Sequence, residues 1–329
     1  MKAGWYKQFG AAKNVIEIGE MDVPEVGPNE VRVHVHASGV NPSDVKKRAG
    51  YGEPFTEERI IPHSDGAGVI YEVGAGVDPD LVGQRVWLYN GQYDRPLGTA
   101  AEYIVLPVSQ VVALPESVSY AQGACLGIPA MTAHRCLFAD GPIEGQTILV
   151  TGGAGAVGNY AIQLAKWGGA KIITTISSLE KENHAWQAGA DYVINYRTED
   201  VVSTIKELTK GAGVDRIIEV DFGGNLLVTK EILKVNGSIA CYASAGNREP
   251  TIPVYALMYK NTNLRLVLVY IMPQKAKQDA CKDIRQAIDD GKLKHTIAGR
   301  FPLDQLAAAH EAVESGSYIG NIVVEIGTA

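Results

Sequence analysis

The stretch Thr147-Ile148-Leu149-Val150-Thr151-Gly152-Gly153-Ala154-Gly155-Ala156-Val157-Gly158 decides the fold. It opens on an apolar run of the kind a strand buried on both faces requires, and Val157–Trp167 carries a helical pattern. Between them, Gly153, Gly155 and Gly158 satisfy G-x-G-x-x-G. A tight turn with a bare backbone lets a pyrophosphate reach the amides at a helix N-terminus, where unpaired N–H groups and the helix dipole favour an anion. With 36 glycines in 329 residues the pattern alone would carry little, but here a strand precedes it and a helix starts within it. The cofactor-binding stretch is therefore expected at Gly152, Gly153, Ala154, Gly155, Ala156, Val157 and Gly158, with Val157 offering its backbone. The competing reading is a glycine-rich strand–helix turn with no ligand. A P-loop is excluded, because Asn159-Tyr160 follow Gly158 where Lys and Ser or Thr are needed.

The alternation continues downstream. Lys171–Ile176 reads as the next strand and Glu180–Ala188 as a helix; Tyr192–Asn195, Arg216–Val220, Ser238–Tyr242 and Leu264–Tyr270 follow as short strands. Apolar strands separated by amphipathic helices predict a parallel sheet covered on both faces. Two further helices, Gln278–Asp290 and Leu303–Glu314, and a last strand, Asn321–Glu325, complete the chain. Upstream the texture differs. Val31–Ala37 alternates strictly, and Val69–Val73, Gln84–Leu88 and Ala101–Leu106 follow, broken by turn signals such as Val26-Gly27-Pro28-Asn29. That is a mainly antiparallel β domain, after which Pro115-Glu116-Ser117 reads as a helix entry. The fold class is α/β, a doubly wound parallel sheet joined to an antiparallel β domain.

Composition narrows the function. With 46% hydrophobic and 20% charged residues the chain is ordinary globular protein, long enough for about two domains. Lys plus Arg number 30 against 37 Asp plus Glu, a net charge of −7, which points away from nucleic acid. Cys125, Cys136, Cys241 and Cys281 form no CxxC pair, so neither a disulfide scaffold nor a cysteine-rich zinc module is expected. The N-terminal stretch has no apolar core of a secretory signal, and runs such as Leu266–Tyr270 fall far short of the ~20 residues that span a bilayer. A cytoplasmic protein is expected.

A free ribose 2′-hydroxyl usually meets an Asp or Glu at the end of the second strand. Here that strand ends Thr175-Ile176-Ser177-Ser178, with Lys181 one helical step on. Two hydroxyls and an ammonium suit a 2′-phosphate, and Tyr196, at the end of the third strand, can add a hydroxyl. NADPH is favoured. The other reading has Ser177 and Ser178 capping the following helix and Lys181 solvated, and Glu180 is a mild contrary sign.

Five further stretches now matter together with the glycine turn: Gly39-Val40-Asn41-Pro42-Ser43-Asp44, His63-Ser64-Asp65-Gly66-Ala67-Gly68-Val69-Ile70, Gly83-Gln84-Arg85-Val86, Ala101-Glu102-Tyr103 and Gly127-Ile128-Pro129-Ala130-Met131-Thr132-Ala133. With them the sequence resembles, nearly end to end, the quinone oxidoreductases of the zeta-crystallin type, in the medium-chain dehydrogenase/reductase superfamily. The resemblance implies a GroES-like β domain at 1–120, a Rossmann NADPH domain at 121–265, a C-terminal segment at 266–329 completing the first domain, and a homodimer. An apolar sixth strand at Asn263–Leu268, on the sheet edge, is consistent with pairing about a two-fold axis.

Many relatives in the superfamily bind catalytic zinc. Carried over by position, the three ligand places hold Asn41, Ser64 and Leu126, which is no zinc set, and Trp87–Pro107 lacks the cysteines of a structural zinc lobe. His63 stands one place off and reads as a hydrogen-bonded loop residue rather than a relocated ligand; His34 and His36 share a strand face and read as strand residues. A zinc-free member is expected. Without a Lewis acid, alcohol oxidation loses its driving group, whereas a quinone or conjugated enone accepts hydride and spreads the charge over its own π system. The protein then supplies placement and a few hydrogen-bond donors, with the proton coming from water or a nearby hydroxyl.

The resemblance places Asn41, Tyr51 and Ile128 along the substrate cleft, with Thr132 close to the nicotinamide. Asn41 is the candidate polar contact to the acceptor or the cofactor amide, or simply an Asn-Pro turn former. Asn225, Tyr242, Ala243, Ser244, Val269 and Tyr270 match cofactor-lining stretches; sheet core is an equal reading for Val269. Lys46 stands where relatives commonly carry a tyrosine near the nicotinamide, which bears on acceptor preference. Gly316–Asn321 lacks the basic residue relatives often aim at the 2′-phosphate. The leading expectation is hydride transfer from NADPH to a quinone. The alternatives are reduction of activated C=C bonds in enals, enones or enoyl thioesters, and a non-catalytic dinucleotide- or RNA-binding protein.

Overall fold

The computed structural model describes residues 1–52 and 54–327. The chain divides into two compact units, one of residues 1–128 with 295–329, the other of 129–294.

The second unit is built on six parallel strands in the spatial order Tyr192–Asn195, Lys171–Ile176, Thr147–Val150, Val214–Glu219, Leu233–Cys241, Asn263–Leu266. In chain order the sheet grows outward from Thr147–Val150 to one edge and then resumes on its other side with Val214–Glu219. Chain direction therefore splits between those two strands, and a crevice opens beyond their C-terminal ends. Ile148, Leu149, Val150, Ile172, Ile173, Ile217, Ile218 and Ile239 are essentially inaccessible, as a sheet covered on both faces demands. Helix Leu179–Ala188 starts where Ser178 Oγ accepts from the Lys181 amide and stops where Gly189 turns left-handed at φ 101°.

The first unit centres on a seven-stranded sheet. Glu30–Val40 pairs antiparallel with Asp65–Val73, Tyr103–Pro107 and the C-terminal strand Asn321–Glu325. Val31, Val33 and Val35 are fully buried, while His34 and His36 stand on the opposite face. There His34 stacks on Tyr103 at 5.0 Å between ring centroids and His36 on Tyr120 at 4.4 Å. They are strand residues, as their alternation suggests.

Three sequence expectations shift. Pro115-Glu116-Ser117 is not the helix entry; the short helix Tyr120–Gly123 begins after Ser119, whose hydroxyl accepts from the Gln122 amide. The strand expected over Leu264–Tyr270 ends at Leu266, and Val269–Ile271 form a 3-10 turn. Helix Gln274–Asp289 belongs to the parallel-sheet unit, so the segment that rejoins the first unit starts at His295 rather than 266. The first boundary is set by the reciprocal cap between Ser119 and Gln122, and the end of the edge strand by where its pairing with Leu233–Cys241 stops.

Candidate cofactor and active site

The glycines of the turn are bare for different reasons. Gly152 sits at φ 66°, a conformation other residues adopt only with strain. A Cβ on Gly153 would come within 2.0 Å of Thr174 Oγ1, and one on Gly158 within 2.4 Å of the Gly152 carbonyl. Packing of strand against helix dictates both. Gly155 differs. Its φ is −74°, and a Cβ there would meet only the Gly152 carbonyl at 3.4 Å, ordinary contact. Nothing in the fold requires glycine at this exposed position. It is also the N-cap of helix Ala156–Trp167, which has no side-chain cap and no acidic residue in its first turn. A bare, uncapped helix start suits an anionic ligand and removes the main argument for a merely structural turn.

Beside it lies a cavity of about 580 Å³ whose wall includes Thr151, Gly152, Thr175, Tyr196, Asp221 and Asn225. It sits at the C-terminal ends of the central strands, where the strand order splits. Lys181 Nζ donates to Ser177 Oγ at 3.1 Å, so the ammonium and hydroxyl expected to share a phosphate are already adjacent. Ser178 takes the capping role weighed against phosphate binding. Ala154 is buried in the turn, and Ala156 and Val157 form the first helical positions.

Asn225 donates from Nδ2 to Glu219 Oε1 at 2.8 Å. Ser244 Oγ accepts from the Gly223 amide at 2.9 Å, the Ala243 carbonyl from Phe222, and the Tyr242 amide donates to the Glu219 carbonyl, so 242–244 are tied to the start of helix Phe222–Ile232. Val269 is buried and Tyr270 half-buried in their 3-10 turn, with Lys277 Nζ donating to the Tyr270 carbonyl.

In the first unit, Asn41 is 5% exposed and heads helix Pro42–Arg48. Its backbone N–H donates to Asp44 Oδ2 at 2.7 Å and its side-chain Nδ2 to Asp65 Oδ2 at 2.8 Å. Asp65, fully buried, also accepts the Ile128 amide on both oxygens, at 2.8 and 2.9 Å. One carboxyl thus joins two of the expected cleft residues. Burial pushes the Asp65 carboxyl well above the usual range, and that of Asp44 up to about 7. A Cβ on Gly127 would lie 2.1 Å from Asp65 Oδ1, which explains the glycine before Ile128. Tyr51 is exposed and its amide donates to the Lys46 carbonyl; Lys46 is exposed on the last turn of its helix. Thr132 is buried one turn beyond Ile128 on helix Ile128–Phe138.

Asp65, Glu219 and Thr151 were not singled out as site residues in the sequence. Asp65 lay in view within His63-Ser64-Asp65-Gly66, but the residues it binds are 24 and 63 positions away.

The three zinc-ligand positions fail the donor test. Asn41 has its amide nitrogen committed to Asp65, Ser64 is a buried hydroxyl and Leu126 an inaccessible hydrocarbon. Among the described residues no three His, Cys, Asp or Glu side chains group closely enough to hold a metal.

His63, at φ 78°, instead lies in a buried relay whose tautomers are fixed from one end. Thr99 donates its only hydroxyl proton to the Asp65 carbonyl at 2.7 Å, so Ser38 must donate to Thr99 and accept from His63 Nδ1–H. His63 Nε2 then accepts from His310 Nε2–H at 3.0 Å, leaving His310 Nδ1 as the lone pair with no partner. Burial, helped by the Arg48 charge, pulls the His310 pKa down to about 3. The unfolded chain gains a proton on this residue below pH 6.5 and the native chain does not, so stability is lost as pH falls from 6.5 towards 3. We expect His310→Leu to remove about 1.4 kcal/mol per pH unit from that slope, read by urea unfolding between pH 6.5 and 4.5. Parallel wild-type and variant slopes would refute a His310 kept neutral by burial in the folded chain.

Residues 156–285 match the family described as zinc-binding dehydrogenase, and 27–116 the alcohol dehydrogenase GroES-like domain. The quinone oxidoreductase of Homo sapiens is 30% identical over 321 residues, covering 96% of this chain and 95% of that protein. A 2-haloacrylate reductase from a Burkholderia species is also 30% identical, covering 98% of both. Among solved structures, an NAD-dependent alcohol dehydrogenase superposes with a TM-score of 0.90 at 26% identity, covering 99% of this chain and 100% of that one. The Escherichia coli quinone oxidoreductase complexed with NADPH gives 0.87 at 26% identity, with the same coverage. The two-unit fold, the glycine turn and this end-to-end likeness agree: the chain belongs to the quinone oxidoreductase family of the medium-chain dehydrogenase/reductase superfamily.

Proposed function

We propose that the protein is a zinc-independent reductase that transfers a hydride from NADPH to a quinone. Gly155 carries the cofactor part, since its bareness has no other cause in the fold. When bound, NADPH supplies the hydride. The uncapped start of helix Ala156–Trp167 holds the pyrophosphate, and Ser177, Lys181 and Tyr196 receive the 2′-phosphate. On the acceptor side Asn41 and the Ile128 backbone are held rigid by Asp65, and the proton comes from water or a nearby hydroxyl. The Asn41–Ser64–Leu126 set favours an acceptor that needs no Lewis acid.

The test is steady-state oxidation of NADPH and NADH against a panel of quinones and enones with chelator-treated protein. Activity that depends on added zinc would refute the proposal. In the same assay Lys181→Ala should raise KM for NADPH about tenfold, the scale of one charge-assisted hydrogen bond, and leave NADH unchanged. Equal effects on both cofactors would remove Lys181 from the phosphate site. The 2-haloacrylate reductase relative favours a second reading, reduction of an activated C=C bond. Product identity separates them: a hydroquinone, or a saturated carbonyl.

A homodimer accompanies this reading. Leu266 on the edge strand is 72% exposed, and Leu268 and Ile271 beyond it are exposed as well, an apolar strip along an unpaired edge. Light scattering should return twice the monomer mass of 35.2 kDa; a monomer at micromolar concentration refutes it. Nucleic acid is disfavoured as a partner, because the faces of His34, His36, Tyr103 and Tyr120 are taken by one another rather than offered to bases. Filter binding to single-stranded RNA at moderate salt checks this. No helix among the described residues is long and apolar enough to cross a membrane. The four cysteines are free, which fits a reducing cytoplasm and is checked by cell fractionation.

A further inference from the structure

Behind the cofactor cavity stands a carboxylate that the hydride chemistry does not use. Glu219 closes strand Val214–Glu219 and is fully buried. Its Oε1 accepts three hydrogen bonds, from Thr151 Oγ1, the Asp221 amide and Asn225 Nδ2, each at 2.8 Å. Oε2 faces Thr229 Oγ1 at 3.4 Å. Thr151, Asp221, Asn225 and Thr229 all line the cavity of about 580 Å³, so one acid organises much of its wall. Thr151 Oγ1 in turn accepts the Val220 amide at 2.9 Å, extending the network across the floor.

No Lys, Arg or His among the described residues pairs with Glu219, and Asp221 lies two residues along. A buried carboxylate without a cation is costly, and an apolar core in which the acid and its donors were both replaced would serve equally well or better. Thermodynamic stability therefore does not explain the residue. Geometry does. With Nδ2 directed at Glu219, Asn225 has its Oδ1 and a second amide proton left for whatever fills the cavity. The Thr151 hydroxyl is likewise fixed beside the glycine turn.

We propose that Glu219 is a positioning residue of the NADPH site, acting through Thr151 and Asn225 to preform the cavity wall. This rests on reading the cavity as part of the NADPH site.

The experiment is fluorescence titration of purified full-length protein with NADPH, with melting temperature and steady-state kinetics measured alongside. Glu219→Leu should weaken NADPH binding tenfold or more, with kcat at saturating NADPH and KM for the acceptor within twofold of wild type. Its melting temperature should fall, because the Asp221 amide, Asn225 Nδ2 and the Thr151 hydroxyl lose their acceptor. Glu219→Gln, whose amide oxygen can still accept from two of the three donors, should stay within about threefold in affinity. A purely structural role lowers the melting temperature of Glu219→Leu and leaves its NADPH affinity unchanged.

A cycle independent of any change at Glu219 guards against a misfolded variant. Thr151 and Asn225 share no hydrogen bond with each other, only the common acceptor. Thr151→Val and Asn225→Ala should therefore be non-additive in NADPH affinity by about fivefold, whereas additivity within twofold overturns the assignment. Wild-type protein that takes no NADPH sinks the cofactor reading and this role together. Wild-type binding left intact by Glu219→Leu sinks only the role.

Discussion

Gly155→Asp should lose NADPH binding by about a hundredfold or more while melting at the same temperature as wild type or higher. Most substitutions in a glycine turn confuse lost binding with lost folding, and Gly153 and Gly158 would do so here because a side chain on either meets packed atoms. At Gly155 the backbone is in the ordinary extended region and the Cβ position is open. An aspartate there is a good N-cap, able to accept an amide hydrogen bond and to complement the helix dipole, worth about 0.5–1 kcal/mol to the helix. The same carboxylate occupies the amides a pyrophosphate would use and repels it at close range. Two pyrophosphate hydrogen bonds to backbone amides, each charge-assisted at about 1.5–3 kcal/mol, set the scale of the loss. Fluorescence titration and a thermal melt on one preparation decide it. Retained NADPH affinity in a folded Gly155→Asp protein would return the turn to a purely structural role.

Asp65→Ala should produce the largest stability loss of any single change considered. It strips the partners from the Ile128 amide and Asn41 Nδ2, both held by a carboxyl with no solvent exposure. Each orphaned buried donor costs about 1–3 kcal/mol, and a small void is added, giving about 3–5 kcal/mol in all. At about 2–4 °C per kcal/mol for a unit of this size, the first transition should fall by roughly 10 °C. Activity should drop at least tenfold at temperatures where the variant is still folded, because the Asn41 amide is no longer oriented. Asp65→Asn should cost less: its oxygen can still accept from Ile128, but its amide faces that of Asn41. A melting temperature within about 2 °C of wild type for Asp65→Ala would show that the hub is dispensable.

The buried acids Asp65 and Glu219 have a common logic. Each takes several donors from residues that line or border a functional surface, and neither has a cationic partner among the described residues. Each holds buried donors that would otherwise be unsatisfied, and in doing so fixes their orientation. The His63–His310 relay adds to this on the β-domain side. It ends on the Asp65 carbonyl, so the backbone of Asp65 is fixed by Thr99 while its side chain fixes Asn41 and Ile128.

Much of this protein could be read along the chain. The glycine turn, the strand–helix alternation, the Ser178 cap with Lys181 next to Ser177, and the apolar edge at Leu266 are local patterns. Helix, strand and turn preferences are set by residues within a few positions of one another. What could not be read were the partners of buried polar groups. His63 meets a residue 247 positions away, Asp65 one 63 away and Thr151 one 68 away. Nothing in composition or periodicity distinguishes these side chains from ordinary loop or strand-end residues. Asn41 illustrates the division: Asn-Pro read as a turn former, but neither the helix it heads nor the commitment of its amide to Asp65 was legible.

Sequence alone therefore determined the class of fold and the glycine turn between a buried strand and a helix, because each depends on short-range pattern. Tertiary structure alone decided which glycines of the turn packing requires, and which donors the buried acids hold. Those answers depend on what stands within a few ångströms in space, and burial makes each such neighbour matter energetically only once the chain has closed around it.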